Sequence, residues 1–500
     1  MRYRKVVPKV ICGFTGLSVC AALILALKSS NWFLECWGGI EFQTVVYQLS
    51  SPMKGTSSEI LDEYCVQCIY PTIYITLVFF VVYCVLGGLL KKTHIFLRIA
   101  VKCLMLGGGF LGILIPIRRN VIEMGIPEYF EDIRNTSSIF EVEYVDPRDV
   151  EIEFPKIKRN LLLIYLESME TTYASRDEGG GKNVNLIPEL TELAKDNVYF
   201  SNTEMLGGAR VYAGTEWTMA GLLSSVTGVP YKLGIEGNSA GKYESFLPGI
   251  ISLGDILLLE GYQNYFMCGS DASFAGRDLF YMQHGSYEIL DYISALETGF
   301  IPEGYREFWG MEDEKLYDYA KQKLEEISEG DQPFNFTMLT VDTHHPDGYI
   351  CQLCENEFSS QYANALVCAS RQLGDFIDWV KRQSWYENTT IVLMGDHLSM
   401  NNNFWDDIGD YGRRTYNCFI NVPDRVSPYK SVNREFSTMD MFPTILAAIN
   451  ADIEGDRLGL GTNLYSGEQT LPEKMGWDVF EQEIKLYSKY YYSNFIIHNR

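Results

Sequence analysis

Four short apolar stretches of this 500-residue chain are each followed closely by acidic or histidine residues. These residues are Glu167 after 160–166, Asp271 after 263–267, His344 and His345 after 335–341, and Asp396 with His397 after 389–394. Near-continuous apolar runs of this length are typical of β-strands covered on both faces. Ligands gather at the carboxyl ends of parallel strands, and carboxylates with imidazoles suit a divalent ion such as Mn²⁺ or Zn²⁺. We therefore predict a metal site at one edge of a sheet.

A further candidate is Thr215, in the segment Gly214-Thr-Glu-Trp-Thr-Met-Ala-Gly-Leu-Leu. Met219, Leu222 and Val226 fall on one helical face, which predicts a helix that begins near Thr215. The threonine could serve only to cap this helix. Alternatively, the free N–H groups and the dipole of the helix would stabilise a phosphate, and a metal ion would activate the hydroxyl as a nucleophile.

The apolar stretches alternate with segments that have helical spacing. The predicted helices cover 187–195, 312–327 and 362–383. Strands that alternate with helices are typical of a mostly parallel sheet flanked by helices. We therefore predict an α/β fold, in which the strand ends bring the candidate site residues together.

The first 120 residues predict a membrane anchor of about three helices. Residues 10–27 and 69–90 are uncharged runs, and each is long enough to cross the hydrocarbon core of a bilayer. A third candidate, 99–117, includes Lys102 and three consecutive glycines. A cleaved signal peptide is the alternative for the first run, but further apolar runs follow it and no small-residue cleavage site does.

The placement of basic residues predicts the orientation of this anchor. The basic residues are Arg2, Arg4, Lys5 and Lys9 before the first run, and Lys91, Lys92 and Arg98 between the second and the third. Both groups should face the cytoplasm, so that three spans would place the rest of the chain outside. Arg118 and Arg119 oppose this assignment, and without the third span the large domain would be cytoplasmic.

Charge separates the anchor from the rest of the chain. The formal charge of −24 divides into +7 for residues 1–120 and −31 for the remainder. A net charge of −31 without a basic block argues against nucleic-acid binding as the main task. We predict a membrane anchor at 1–120, a linker at 121–156 and an extracytoplasmic catalytic domain at 157–500.

The cysteines allow several interpretations. Two residues separate Cys351 from Cys354, a spacing found in zinc half-sites, redox pairs and local disulfides. Because no second pair follows at the spacing of a zinc finger, we favour a disulfide. Cys268, Cys368 and Cys418 complete an odd count of five in the predicted outer domain.

Several strings of residues resemble the membrane phosphoglycerol transferases of the sulfatase/alkaline phosphatase superfamily. They are Tyr165-Leu-Glu-Ser-Met-Glu, Gly214-Thr-Glu-Trp-Thr, Val341-Asp-Thr-His-His-Pro-Asp-Gly, Gly395-Asp-His and Met439-Asp-Met-Phe-Pro-Thr. The family includes lipoteichoic acid synthases, but these strings are most similar to the enzymes that decorate periplasmic glucans with phosphoglycerol. The sulfatase nucleophile string Cys-x-Pro-x-Arg, or its serine form, is absent from the sequence, which argues against a sulfate-ester hydrolase.

The resemblance implies a metal site. Glu167, Thr215, Asp396 and His397 match the ligands that the family uses for one divalent ion. This ion would be Mn²⁺, with Zn²⁺ or Mg²⁺ as the alternatives. Thr215 would also be the nucleophile that attacks phosphorus, so that a covalent phospho-threonine intermediate forms.

The resemblance also implies a substrate site. His344, placed by its His-x-Pro spacing, matches a histidine near the transferred group, and His345 is the second candidate for that role. Asp271 and Arg277 lie where the family binds the phosphoglycerol moiety. The match is loose in this region, because a tryptophan expected from lipoteichoic acid synthases is absent and only phenylalanines lie nearby.

The activity implied is the transfer of phosphoglycerol from phosphatidylglycerol to an extracytoplasmic glycan or glycolipid in a bacterial cell membrane, with release of diacylglycerol. One alternative is a phosphoethanolamine transferase of the same superfamily, which the few outer cysteines and the three spans disfavour. The other is a non-catalytic receptor for lipid or glycan, which the complete Glu/Thr/Asp/His set disfavours. We expect the membrane as a partner, and no nucleic acid.

Overall fold

The computed structural model describes residues 3–37, 62–90, 93–132, 134–232, 245–401 and 404–496. Within the N-terminal helices, some side chains, including those of 3–15, also lie outside the description. The chain divides into two compact units, which are described separately. The first consists of Met1–Phe42 and Thr56–Phe130, and the second of Gln43–Gly55 and Glu131–Arg500.

The first unit is helical. Its described residues form the helices Tyr3–Trp37, Tyr70–Leu89 and Ile95–Glu123 and a π-helical turn at Cys65–Ile69. Two stretches among them, Gly16–Glu35 and Asp62–Leu86, are long and apolar enough to cross a membrane, which supports a membrane protein. Asn120 Nδ2 donates hydrogen bonds to Ser30 Oγ at 2.8 Å and to Asn31 Oδ1 at 2.6 Å. These polar contacts link the first and third helices.

The third predicted span stays a prediction. The helix Ile95–Glu123 contains it, but the side chains of Arg98 and Lys102, among others, lie outside the described residues. The orientation of the anchor stays a prediction as well, because Lys91 and Lys92 lie outside the described residues. The division into anchor, linker and catalytic domain is likewise a prediction, and the structure has two short helices within the predicted linker.

A mixed sheet of six strands lies at the centre of the described part of the second unit, and two short ribbons contain the other four strands. The ten strands are β1 (Ile152–Glu153), β2 (Asn160–Leu166), β3 (Gln263–Cys268), β4 (Glu288–Leu290), β5 (Phe334–Leu339), β6 (Thr389–Gly395), β7 (Asn417–Ile420), β8 (Asp452–Ile453), β9 (Arg457–Leu458) and β10 (Gly461–Thr462). The central sheet has the order β4-β3-β5-β2-β6-β7. β7 is antiparallel to β6, and all other neighbours in this sheet are parallel. The two ribbons β1–β8 and β9–β10 are antiparallel.

Helices cover both faces of the central sheet. The α-helices of this unit are Ile139–Glu143, Pro188–Asp196, Thr218–Thr227, Leu253–Leu259, Arg277–Gln283, Tyr292–Glu297, Asp313–Ser328, Gln361–Lys381, Met441–Ala448, Leu471–Met475, Trp477–Lys485 and Lys489–Tyr491, and the helix Ile126–Asp132 spans the boundary between the two units. Along β2, the odd-numbered residues 161 to 165 pack into one hydrophobic core and the even-numbered residues 162 to 166 into the other. Burial on both faces explains why this strand is an unbroken apolar run.

The elements predicted from the sequence lie close to those observed. β2 has its predicted bounds, and β3, β5 and β6 each begin and end within two residues of theirs. The prediction of a mostly parallel α/β fold is confirmed. The two edge strands, β4 and β7, were not among the predictions. The strands β3, β5, β2 and β6 are neighbours in this order, and all four run in the same direction. The residues that follow these strands therefore lie together along the carboxyl ends of the sheet.

Candidate active site

Three buried side chains at the carboxyl ends of β2 and β6 lie within reach of a single ion. Glu167 follows β2, and Asp396 and His397 follow β6. One ligand atom from each of the three lies within 4.8 Å of the others. His397 Nε2 is 3.4 Å from both Glu167 Oε1 and Asp396 Oδ2. The structure thus brings together three of the four predicted metal ligands.

Hydrogen bonds hold these three side chains in place. Asp396 Oδ1 accepts from the backbone N–H groups of Ser168 and His397, both at 2.8 Å. His397 Nδ1 donates to the Leu398 carbonyl at 2.7 Å, which leaves Nε2 to face the carboxylates. The Ser168 hydroxyl donates to Glu167 Oε1 at 2.7 Å. Asp396 Oδ2 is buried and accepts no hydrogen bond within the described part of the chain.

The charges of the three groups fit a bound cation. Burial and the neighbouring Glu167 carboxylate raise the pKa of Asp396 to about 7. Burial opposes ionisation of Glu167 as well, but His397 outweighs it and lowers the pKa of Glu167 to about 2. Burial favours a neutral His397, yet Asp396 and Glu167 raise its pKa to about 10. Two carboxylates and one imidazole are a donor set that could hold Mn²⁺ or Zn²⁺. One carboxylate oxygen, Asp396 Oδ2, is buried without a hydrogen bond from the described residues and would gain a partner in the ion.

The affinity of this cluster for a metal ion is expected to fall as the pH is lowered. The raised pKa values of His397 and Asp396, about 10 and about 7, mean that a metal ion must displace a proton that the folded site holds. Each displaced proton should weaken the apparent affinity about tenfold for every pH unit of decrease. Calorimetric titration with Mn²⁺ over a pH series, in buffers of different ionisation enthalpy, measures both the affinity and the protons released. An affinity that does not change with pH would contradict this expectation.

The hydroxyl of Thr218 lies against the same three side chains. Its Oγ1 is 3.3 Å from His397 Nε2 and 3.4 Å from Glu167 Oε2. Thr218 is the first residue of its helix, so that its hydroxyl lies at the positive end of the helix dipole. The helix approaches β6 closely, because a Cβ at Gly221 would lie only 1.9 Å from the Asp396 carbonyl oxygen. A glycine at this position therefore allows the helix N-terminus to lie beside the candidate metal ligands.

Thr215, the predicted metal ligand and nucleophile, lies in a turn before this helix. Its hydroxyl donates to the Tyr212 carbonyl at 2.8 Å and accepts from the Tyr212 N–H at 3.1 Å. The sequence predicted a helix start near Thr215, but Trp217 is extended, with φ −137° and ψ 162°, and the helix begins after it. The structure thus places the Thr218 hydroxyl against Glu167 and His397 and bonds the Thr215 hydroxyl to Tyr212, which makes Thr218 a second candidate for the nucleophile. The apolar face that begins at Met219 was the signal for this later start.

His344 and His345 follow β5 at the same edge of the sheet. Burial lowers the pKa of His344, and the Glu167 carboxylate opposes that change, which places His344 within electrostatic reach of the cluster. Its Nδ1 donates to the His345 carbonyl at 2.7 Å. Burial and the adjacent His344 lower the pKa of His345 well below its ordinary value. His344 is half-buried, and its ring contacts the ring of Trp309.

Trp309 is a candidate site residue that the sequence did not indicate. Its ring lies 4.9 Å from that of His344 and 5.4 Å from that of Phe274, measured between centroids. A tryptophan thus lies beside the candidate histidine, although the segment after β3, where the resemblance led us to expect one, contains phenylalanines and no tryptophan. No local spacing could have identified it, because Trp309 comes from a loop far along the chain from both Phe274 and β3.

Arg277 and Asp271 lie in the segment that follows β3. The buried guanidinium of Arg277 donates from Nη2 to Ser270 Oγ at 2.9 Å and to the Asp271 carbonyl at 3.0 Å. Burial is the main cause of the lowered pKa of His344, and the charge of Arg277 adds to it. Asp271 Oδ1 accepts from the Ser273 N–H at 2.8 Å, so that this carboxylate stabilises its own turn. Substrate binding by Asp271 and Arg277 stays a prediction.

Glu170 forms an ion pair with Arg413. Arg413 Nε donates to Glu170 Oε2 at 2.9 Å, and Arg413 Nη2 contacts Glu170 Oε1. Glu170 also accepts from the Ser399 N–H at 2.8 Å and from the Thr172 hydroxyl at 2.7 Å. The guanidinium lies 3.7 Å above the ring of Trp405. Glu170 therefore connects the loops that follow β2 and β6, the two strands whose ends carry the candidate metal ligands.

Replacement of Arg413 by methionine is expected to destabilise the fold by about 3 kcal/mol, because it leaves the Glu170 carboxylate buried without its counter-ion. Urea unfolding of the chain in detergent, followed by tryptophan fluorescence, measures this loss. The matched control is Arg425→Met, at an exposed arginine, which should change the stability by about 0.5 kcal/mol or less. Equal stabilities of the two variants would show that the ion pair contributes nothing.

Comparison with known proteins places this site in a family. The profile of the Sulfatase family matches residues 159–451, a range that includes β2, β6 and the helix that begins at Thr218. The chain belongs to the sulfatase family. The alkaline phosphatase/sulfatase type of α/β fold expected from the sequence is thereby confirmed.

Several relatives of this sulfatase-family chain carry the name phosphoglycerol transferase I. Phosphoglycerol transferase I of Salmonella choleraesuis (strain SC-B67) is 32% identical over 465 residues, which are 91% of this chain and 56% of that protein. The chain thus spans about half the length of the curated relatives it matches. The resemblance to phosphoglycerol transferases is confirmed by this similarity.

Two solved structures are also similar. The lipoteichoic acid synthase LtaP from Listeria monocytogenes is 21% identical, with a TM-score of 0.47, and the match covers 64% of this chain and 79% of that one. The lipooligosaccharide phosphoethanolamine transferase A from Neisseria meningitidis is 13% identical, with a TM-score of 0.49, and the match covers 86% of this chain and 83% of that one.

Proposed function

We propose that this chain is a membrane-bound enzyme that transfers phosphoglycerol from phosphatidylglycerol to an extracytoplasmic glycan or glycolipid. The observation that carries the proposal is the Thr218 hydroxyl, 3.3 Å from His397 Nε2 and 3.4 Å from Glu167 Oε2 at the start of a helix. A hydroxyl beside a metal-binding cluster is what nucleophilic transfer of a phosphate group requires. The similarity to phosphoglycerol transferase I supports the choice of the transferred group.

Glu167, Asp396 and His397 would hold one divalent metal ion, with Mn²⁺ as the first candidate and Zn²⁺ or Mg²⁺ as the others. When bound, such an ion lowers the pKa of a neighbouring hydroxyl and offsets negative charge on a phosphate. Thr218 would then attack the phosphorus atom. The free N–H groups in the first turn of its helix would bind the non-bridging phosphate oxygens.

The reaction would consist of two displacements. In the first, a bond forms between Thr218 Oγ and phosphorus, and the bond from phosphorus to the diacylglycerol oxygen breaks. The proton of Thr218 would pass to solvent. His344, whose neutral form is favoured because burial lowers its pKa, would take a proton from solvent and pass it to the diacylglycerol oxygen. In the second, an acceptor hydroxyl attacks phosphorus and gives its proton to His344, which releases it to solvent, while Thr218 leaves and recovers a proton from solvent. His344 thus ends the cycle in the protonation state in which it began.

Donor capture would depend on local groups. The net charge of −31 on the part of the chain after residue 120 does not attract an anionic lipid. Arg277 supplies positive charge near His344, and Trp309 would provide an apolar wall for the glycerol moiety. The membrane helices would keep the site at the bilayer, where both the donor and the released diacylglycerol remain. We place the protein in a bacterial cell membrane, with three spans and the catalytic domain outside.

The test uses membranes that contain the chain, with either phosphatidylglycerol or phosphatidylethanolamine labelled in its acyl groups. We expect labelled diacylglycerol from phosphatidylglycerol only, lost on chelation of divalent metal and restored when the metal is returned. Diacylglycerol from phosphatidylethanolamine alone would instead support a phosphoethanolamine transferase. Absence of turnover of both lipids, with every divalent metal tried, would support a non-catalytic receptor.

A further inference from the structure

A second group of potential metal ligands lies apart from the candidate active site. It consists of Cys351, Cys354 and Cys368, whose sulfur atoms all lie within 4.8 Å of one another. Cys351 and Cys354 belong to the loop that continues from His344, and Cys368 lies within the helix Gln361–Lys381. A backbone hydrogen bond from the Cys354 N–H to the Cys351 carbonyl, at 3.1 Å, closes the turn between the first two. The structure therefore adds a third thiol to a pair that the sequence left open.

The spacing of these sulfur atoms is that of a tetrahedral thiolate site. Cys351 Sγ lies 3.6 Å from Cys354 Sγ and 3.7 Å from Cys368 Sγ. In a tetrahedral zinc site with zinc–sulfur bonds of about 2.3 Å, two sulfur ligands are about 3.8 Å apart. Both measured sulfur–sulfur distances are therefore close to the sulfur–sulfur distance expected in a zinc–thiolate tetrahedron.

Hydrogen-bond donors lie beside two of the three sulfur atoms. The buried Gln372 directs Nε2 at both Cys368 Sγ, at 3.4 Å, and Cys351 Sγ, at 3.7 Å. Arg371 Nη2 lies 4.0 Å from Cys368 Sγ and donates to the Leu353 carbonyl at 2.5 Å. Zinc with three thiolates has a net charge of −1, and a neighbouring guanidinium compensates it. Donors to ligand sulfur also orient the ligands of a metal and tune its affinity.

We infer that Cys351, Cys354 and Cys368 form a second metal site, which binds one zinc ion and fastens the loop after His344 to the helix Gln361–Lys381. Binding would release the three thiol protons. Cys354 is only half-buried, and a water molecule would complete the tetrahedron. The ion would join two segments that are separated in sequence.

The arrangement fits a metal site better than the disulfide that the sequence favoured. Cys351 contacts both of the other sulfur atoms, so that a disulfide to either one would leave the third thiol beside the bond. A thiol in this position exchanges with the disulfide and would make the pairing unstable. A zinc ion uses all three sulfur atoms at once.

The test is the zinc content of the full chain, purified in detergent without chelator and measured by plasma mass spectrometry. The Asp396→Asn variant serves as the background, so that zinc at the candidate active site does not contribute. We expect one zinc ion per chain in this background, and its loss when Cys351→Ser or Cys368→Ser is added. The control Cys418→Ser, at a buried cysteine outside the group, should retain the zinc.

A second measurement uses the chain without substitution, so that a misfolded variant cannot obscure the result. Iodoacetamide should alkylate Cys351, Cys354 and Cys368 only after the zinc has been removed by a chelator, as mapped by mass spectrometry. Two of the three cysteines oxidised to a disulfide, or alkylation that does not depend on the chelator, would overturn the inference. Neither measurement uses transferase activity, so that the second site can fail while the proposed function stands.

Discussion

Replacement of Thr218 by alanine is expected to reduce diacylglycerol release from phosphatidylglycerol by a factor on the order of 10⁴ or more. The reason is that its hydroxyl, 3.3 Å from His397 Nε2 and 3.4 Å from Glu167 Oε2, would be the atom that attacks phosphorus. Metal binding should change little, because Glu167, Asp396 and His397 remain. The measurement is the initial rate with labelled lipid at saturating metal concentration. Thr218→Ser, which keeps a hydroxyl, should retain part of the rate.

The matched control is Thr215→Val, at the threonine first predicted to be the nucleophile. Its hydroxyl is bonded to both backbone polar groups of Tyr212, so that its loss should lower stability by about 1–3 kcal/mol. The transfer rate of the folded protein should remain within about tenfold of that of the unsubstituted chain. A rate lost in Thr215→Val and kept in Thr218→Ala would reverse the two assignments.

The substitution Asp396→Asn is expected to lower the metal affinity by at least about 100-fold. The fold should be preserved. The oxygen of an asparagine can still accept the N–H groups of Ser168 and His397, which now bind Asp396 Oδ1 at 2.8 Å. Its amino group would replace Oδ2, the oxygen that accepts no hydrogen bond from the described residues. A metal ligand is thus exchanged for an N–H donor, and transferase activity should be lost with the metal.

Calorimetric titration with Mn²⁺ measures this loss, and circular dichroism checks the fold. Asp375→Asn is the control, because this aspartate is exposed on the helix Gln361–Lys381 and carries the same change of charge. Its metal affinity should equal that of the unsubstituted chain. Unchanged affinity in Asp396→Asn would mean that Asp396 is not a ligand of the ion.

The sequence predicted that the candidate metal ligands lie together, because their positions follow from the fold. Glu167, Asp396 and His397 each come directly after a strand whose side chains are buried on both faces. Such strands are visible as apolar runs, and a parallel arrangement brings their ends to one edge of the sheet. Neither step depends on the details of packing. The edge strands β4 and β7 escaped prediction, since each is short and has no comparable run.

Thr215 and Thr218 could not be distinguished from the sequence as candidates for the nucleophile. Thr215 and Thr218 both precede the same apolar helical face, and capping preferences allow a threonine at either position. Trp217 has an extended backbone and the helix begins after it, while Gly221 of the same helix lies close to the Asp396 carbonyl. Neither feature is visible as a local pattern in the sequence. Contacts between distant segments were equally hidden, as the pairing of Trp309 with His344 shows.

The central claim, that Thr218 carries the phosphoglycerol group between donor and acceptor, is tested most directly by capture of that group on the protein. The chain is mixed with phosphatidylglycerol labelled in its glycerol headgroup, without acceptor, and is then quenched in acid, digested and analysed by mass spectrometry. We predict a glycerophosphate adduct on Thr218 that also forms in Thr215→Val and is absent from Thr218→Ala. An adduct on Thr215, or turnover of the lipid without any adduct on Thr218, would contradict the claim.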